Sequence, residues 1–287
     1  MYTKEITIGA NTKTPLKVNR VGFGAMRITG KGVWGPPENK AEAIKVLKRA
    51  VELGVNFIDT ADSYGPHVSE ELIAEALHPY PAGLVIGTKA GLLRSGPNQW
   101  SPDASPQHIK TALEGSLKRL KRDSIDLYQL HRIDPKVPAE DTFAFLQKVQ
   151  QEGKVRHIGL SEVSVEDIKR AQKFFNVVSV QNMYSVDNRK WESVLEYCNT
   201  NGIAFIPWYP MGGGNTKNME KLDKMAAQHN ATIHQVALSW LLHHSNSILL
   251  IPGTSSVAHL EENMKCSSIQ LTSADMKELD GVYVAKA

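Results

Sequence analysis

The stretch FIDTADSYG, Phe57 to Gly65, passes from apolar residues directly into polar ones. An apolar run that breaks into Asp, Ser and Gly reads as a strand entering a loop, and turn chemistry alone accounts for those residue types. A second reading makes this strand end the rim of an active site, with Asp59 at the border and Tyr64 just beyond. The choice depends on whether other strands end the same way.

They do. Short β-rich runs occur at 20–26 (RVGFGAM), 55–59 (VNFID), 84–89 (LVIGTK), 125–131 (IDLYQLH), 155–161 (VRHIGLS), 177–182 (VVSVQN), 203–208 (IAFIPW) and 248–253 (ILLIPG). Between them lie segments of helical period, such as Ala41 to Leu53, Ile109 to Leu120 and Val165 to Phe175. Helix starts are marked by SPQHI (105–109), SVED (164–167) and LTSADMKEL (271–279). The strands are apolar on both faces, as in a parallel sheet covered by helices. Eight strand–helix units predict a (β/α)₈ TIM barrel in one domain, 1–287. The alternative, an open doubly wound sheet binding a dinucleotide, usually shows GxGxxG after its first strand; here Gly22-Phe23-Gly24 has no third glycine in place. EITIGANTKTPLKV predicts an N-terminal β-hairpin, turning at Asn11–Thr14, that plugs the barrel bottom. Ser273 to Val284 predicts an extra C-terminal helix.

The chain has 287 residues, 41% hydrophobic and 22% charged, with net charge +3, an ordinary globular composition. Such balance gives no reason to expect nucleic acid, and the basic run KRLKR (118–122) suits a helix C-terminus. Cys198 and Cys266 are far apart and outside any CxxC pair, the usage of a reducing compartment. No apolar stretch approaches the ~18 residues of a membrane span, and MYTKEITIGANTK lacks the apolar core of a signal peptide. A soluble, cytoplasmic protein is expected. Nothing specifies an interface, so a monomer is favoured and an oligomer left open.

In a barrel of this kind chemistry sits at the C-terminal strand ends. Those ends carry Asp59, Lys89, His131, Ser161, Gln181, Trp208 and Gly253 in order, with Tyr64 beyond the second strand. Each has a bland explanation: a solvated lysine, a structurally hydrogen-bonded histidine, a tyrosine under a loop, a core tryptophan. Convergence on one rim favours function. Tyrosine at pKa ~10 is a weak acid at neutral pH, and an ammonium held by a carboxylate is expected to lower it. His131 can then orient a carbonyl oxygen beside the phenol.

With these residues in place the sequence resembles an aldo-keto reductase from RVGFGAM to IPGTSSVAHLEEN. FIDTADSYG matches the family's Asp (Asp59) and proton-donor Tyr (Tyr64), VIGTK its Lys (Lys89) and DLYQLH its His (His131). The resemblance implies that Ser161 and Gln181 bond the nicotinamide carboxamide and that Trp208 stacks on its ring. One departure is Glu162, where the family usually has Asn. The implied reaction is hydride transfer from NAD(P)H to an aldehyde or ketone, the cofactor carrying the hard chemistry. No metal is implied, and no HExxH spacing occurs.

IPGTSSVAHLEENM resembles the family's adenosine-phosphate clamp, with Gly253, Thr254, Ser255 and Ser256 at a helix N-terminus suited to phosphate. His259 is the available cation, and Glu262 and Asn263 match positions near the adenine. NADPH is expected by family habit, with NADH left open because residues 251–263 hold no Lys or Arg. Gly212, in the run Gly212–Gly214, is expected to let the strand-seven loop pass over the pyrophosphate. GKGVWGPPENK (30–40), YGPHVSEELIAEAL (64–77) and IPWYPMGG resemble a bacterial branch that includes pyridoxal reductases. Trp34 and Trp100, read as loop residues, and Arg132 are the substrate-pocket candidates, with His67 a further rim candidate. Two other functions fit the pattern: a cofactor-binding auxiliary subunit of an ion channel with little turnover, and an aldolase or lyase forming a Schiff base on Lys89.

Overall fold

The computed structural model describes residues 2–210 and 219–283. An antiparallel hairpin comes first, β1 (Glu5–Ile8) and β2 (Leu16–Asn19), in register from Glu5–Asn19 to Ile8–Leu16. Next are β3 (Phe23–Gly24), β4 (Phe57–Asp59) and β5 (Val85–Ala90), then a second hairpin, β6 (Leu92–Gly96) with β7 (Gln99–Pro102). The remaining strands are β8 (Ile125–Leu130), β9 (Val155–Ser161), β10 (Val177–Gln181) and β11 (Ala204–Phe205).

Seven of these form one parallel sheet in the order β3-β4-β5-β8-β9-β10-β11. Residues 248–251 close it through parallel bridges from Phe205 to Ile248 and from Val21 to Leu250. The Gly22 N–H donates to the Leu250 carbonyl at 2.8 Å and the Leu249 N–H to that of Phe205 at 2.9 Å. The eighth run therefore takes its expected place but is held by one bridge to each neighbour rather than by a regular ladder.

The helices are α1 (Lys40–Glu52), α2 (Val68–Leu77), α3 (Pro106–Arg119), α4 (Ala139–Gln151), α5 (Val165–Ala171), α6 (Glu192–Asn201), α7 (Met219–Gln228), α8 (Ile233–His244), α9 (Val257–Met264) and α10 (Ser273–Asp280). Their starts follow the sequence signals. Ser105 caps α3 with Pro106 in the first turn, and capping boxes join Ser164 to Asp167 and Thr272 to Asp275. Two expectations shift: α5 ends at Ala171 rather than Phe175, and two helices, α7 and α8, stand between β11 and the eighth run. The basic run KRLKR ends α3, but it is not merely solvated. Arg119 reaches the fully buried Glu70 at 2.7 Å, and Arg122 lies 4.4 Å over the Tyr80 ring.

Strand periodicity positions the site. Phe57, Val85, Leu127, Val178, Ala204, Ile206, Leu249 and Ile251 fill the barrel interior, and Ile8, Leu16 and Val18 of the first hairpin pack into the same cluster. The hairpin thus plugs the barrel as expected. Ile58, Ile86, Tyr128, Ile158 and Leu250 belong instead to the larger core shared with the helices. Higher on the inward-facing rows stand Asp59 two residues past Phe57, Gln129 two past Leu127 and Lys89 two past Gly87, all buried. A polar layer lies directly on an apolar one.

Candidate active site

Lys89 is fully buried, and its ammonium donates to Asp59 Oδ2 at 2.6 Å, to the Thr60 carbonyl at 2.8 Å and toward Tyr64 Oη at 3.4 Å. The other carboxylate oxygen of Asp59 accepts from Gln129 Nε2 at 3.1 Å and Gln181 Nε2 at 2.9 Å. Each element of the cluster has hydrogen-bond partners, the condition for holding charge out of water. Burial works against the Lys89 ammonium, but Asp59 and Tyr64 together raise its pKa above the usual value, so it stays protonated.

Tyr64 departs from expectation. Burial is the largest influence and raises its phenol above the usual value, against the pull of Lys89. The ammonium acts at reduced strength because Asp59, which raises the phenol in turn, stands beside it. The phenol is therefore a proton donor at rest. His131 lies edge-on to it, ring centroids 5.9 Å apart, with Nδ1 3.4 Å from Ser63 Oγ. Burial, then the charges of Lys89 and Arg132, hold its pKa well below the usual imidazole value, leaving it neutral.

The pocket wall is more organised than the sequence implied. Trp100 stands not in a loop but on β7, edge-on to Tyr64 at 6.3 Å and to His131 at 6.5 Å. The backbone of Trp34 bridges to that of Gly65, the residue after Tyr64. Arg132 donates to Ser161 Oγ at 3.0 Å and lies 5.9 Å from the Trp208 ring centroid. His67 is outside this cluster: it precedes α2 with φ +72° and is exposed.

Ser161 ends β9 and Gln181 ends β10, both buried on the same rim. Trp208 is fixed by its indole N–H, which donates to Glu162 Oε1 at 2.7 Å, while the Met183 N–H donates to the same oxygen at 2.6 Å. Glu162 itself is left-handed, φ +54°. Gly212 falls outside the described residues. Beyond the rim, a cavity of about 850 Å³ is lined in part by Gly253, Thr254, His259, Glu262 and Asn263. The rest of the lining mixes apolar residues, Leu222, Ala226, Ile233 and Ala237 among them, with Asp223, Thr232 and His234. Apolar side chains beside a few polar groups suit a flat heterocycle, so this end of the rim fits the adenosine part of a dinucleotide.

Ser255 and Ser256 stand at the start of α9, with Ser256 its N-cap. Ser255 and Ser256 do not line the cavity among the described residues, and the Val257 N–H of α9 donates to Glu42 Oε1 at 3.3 Å. A carboxylate thus stands at the helix end expected to receive phosphate, because Glu42 of α1 and the start of α9 are packed together.

Matching against known families gives the Aldo/keto reductase family over residues 20–284. The chain belongs to the aldo/keto reductase family. An uncharacterized oxidoreductase of Schizosaccharomyces pombe is 54% identical over 264 residues, 92% of this chain and 86% of that one. Pyridoxine 4-dehydrogenase of Escherichia coli is 41% identical over 288 residues, 98% of this chain and 99% of its own. The crystal structure of a thermostable aldo-keto reductase with the inhibitor epalrestat has TM-score 0.84 at 28% identity, covering 98% of this chain and 99% of that one. As an aldo/keto reductase the chain is an oxidoreductase that uses a nicotinamide cofactor on small carbonyl compounds. No described helix is long and apolar enough to cross a membrane.

Sequence reasoning about this reductase missed Gln129, hidden in the apolar run DLYQLH, and Arg94. It also missed what Asp62 does. Asp62 is buried with Oδ1 unpartnered, and burial, followed by the charge of Glu70, pushes its pKa up to about 8. The folded state therefore keeps a proton that the unfolded chain releases. Stability from this group is complete below the ordinary Asp value and is lost as pH rises through about 8. Asp62→Asn is expected to raise the melting temperature more in mildly alkaline than in mildly acidic buffer. The gain is on the order of a few kcal/mol at the alkaline end, read by calorimetry at both pH values.

Proposed function

We propose that the protein reduces an aromatic aldehyde of the pyridoxal class to its alcohol with NADPH, Tyr64 acting as general acid. One observation carries this reading: a protonated Lys89, clamped by Asp59, stands 3.4 Å from the Tyr64 hydroxyl in a pocket walled by Trp100 and His131. The 41% identity to pyridoxine 4-dehydrogenase supports the substrate class.

The nicotinamide, when bound, supplies the hydride. Ser161 and Gln181 would hold its carboxamide: the Gln181 amide N–H is committed to Asp59, leaving its carbonyl oxygen to accept, and Ser161 keeps its hydroxyl proton to donate. Trp208, fixed by Glu162, would cover the ring face. Tyr64 gives its proton to the carbonyl oxygen, and the charge that develops on its oxygen is met by Lys89. Asp59 keeps Lys89 in place, with Gln129 and Gln181 holding Asp59. Neutral His131 offers a ring N–H to the same carbonyl oxygen without competing as a proton source. NADPH is preferred over NADH, with His259 and Thr254, which line the cavity, the groups that would meet the added phosphate, while the Val257 N–H stays with Glu42. Both cysteines are free and buried, which suits work in the cytoplasm.

A Schiff-base role for Lys89 is disfavoured by the same geometry, because an ion-paired ammonium is not a nucleophile. The test follows nicotinamide oxidation with NADPH and NADH in parallel, using pyridoxal and a panel of aromatic and aliphatic aldehydes. Turnover of pyridoxal with NADPH is expected. Turnover of simple aldehydes alone would discard pyridoxal, and tight cofactor binding without turnover would favour an auxiliary subunit. Borohydride trapping of substrate on Lys89 would favour the lyase.

A further inference from the structure

Arg94 uses every N–H of its guanidinium on a different carbonyl. Nη1 donates to Val33 at 2.6 Å and Ser63 at 2.9 Å, Nη2 to Gly32 at 2.9 Å and Gly96 at 3.2 Å, and Nε to Gln99 at 2.9 Å. Its plane also lies against Trp100, directly opposite on the hairpin, with Cζ 3.5 Å from the ring centroid and 5.7 Å from that of Trp34. Three segments meet there: the Trp34 loop, the turn just before Tyr64, and the β6–β7 hairpin.

Each of these segments borders the reacting position. Ser63 precedes Tyr64 in the chain, Trp34 is bridged to Gly65, and the Trp100 ring meets both Tyr64 and His131 edge-on. The arrangement holds strain. Val33 is β-branched yet left-handed, φ +56°, a conformation that persists only where its surroundings over-determine it. Its carbonyl is taken by both Arg94 and the Gly65 N–H. Trp100 nevertheless remains 37% exposed, so part of its surface is left uncovered.

We propose that Arg94 is a positioning residue for substrate selection, holding Trp100 and Trp34 as a rigid wall beside Tyr64 that favours flat aromatic carbonyl compounds over small aliphatic ones. This rests on the reductase reading above. A wall that is already rigid loses little freedom when a ring packs on it, and rings pack on indole with specific geometry. Lysine cannot replace this residue: an ammonium has three donors and no planar face to stack.

The experiment compares wild type, Arg94→Lys and Arg94→Met for kcat and KM on pyridoxal and on butanal. Binding of pyridoxal is measured separately by quenching of tryptophan fluorescence. The ratio of kcat/KM for pyridoxal to that for butanal is expected to fall about 10-fold or more in both variants, mainly through the KM of pyridoxal, with a matching loss in the quenching titration. Equal losses on both aldehydes, or full rescue by Arg94→Lys, would overturn the proposal. If Arg94→Met fails to fold, Trp100→Leu decides, since it must reproduce the change in ratio. Should wild type reduce neither aldehyde, the reductase reading fails; Arg94-dependent quenching by pyridoxal would still support the wall, and quenching unchanged in the variants would sink it.

Discussion

Tyr64→Phe is expected to lower kcat for carbonyl reduction by ~10²–10⁴ while leaving cofactor affinity in place. The substitution removes one oxygen and little else. The ring keeps its edge contacts with Trp100 and His131, so the pocket retains its shape. Lys89 keeps Asp59 and the Thr60 carbonyl, so the ion pair survives. What disappears is the proton that the carbonyl oxygen needs as hydride arrives. Burial raises the Tyr64 pKa, so the wild-type reduction rate should stay level through neutral pH and fall only once the phenol ionises in strongly alkaline buffer. Steady-state rates across pH, for both proteins, check both statements.

Asp59→Asn should damage stability as well as rate. Lys89 is fully buried, and burial is the largest single influence on its pKa, acting downward. Without the Asp59 charge that balance reverses, leaving the ammonium with the Thr60 carbonyl and the Tyr64 hydroxyl. Removing one partner of a buried pair typically costs ~3–5 kcal/mol. The sign of the pH dependence follows. A lysine whose folded pKa falls below its unfolded value binds fewer protons when folded, so the variant's stability should rise with pH toward the usual lysine range. Wild type should show no such rise from this group, because its Lys89 pKa is raised. A neutral lysine also no longer supports charge on Tyr64, so kcat falls too. Denaturant unfolding at several pH values, read beside turnover, separates the two losses.

Much of this was legible in the sequence because the physics is local or periodic. Strands buried on both faces read as short apolar runs, helix starts carry their caps, and the strand ends carry Asp59, Lys89 and His131 in order, whereas Gln129 is hidden inside its run. Legibility failed where partners are distant in the chain. Arg94 and Trp100 sit in LLRSGPNQWSP, which reads as an ordinary turn until the β6–β7 pairing sets them opposite one another. Asp62 passes for turn chemistry because its burial is created by α2, with Glu70 behind it. The Tyr64 shift went the unexpected way for a related reason: a sequence shows which charges are near but not how much water is excluded. Glu42 at the start of α9 lies far from that helix in sequence, so nothing in IPGTSSV announces it.

The role of the Tyr64 proton is tested most directly in a single turnover. Wild type and Tyr64→Phe, each loaded with NADPH and shown by titration to bind it alike, are mixed rapidly with pyridoxal while nicotinamide fluorescence is followed. A fast loss of fluorescence is expected in wild type, with pyridoxine formed in equal amount, and a loss slowed by ~10² or more in the variant. Equal rates in the two proteins would contradict that role, since hydride transfer would then be proceeding without the Tyr64 proton.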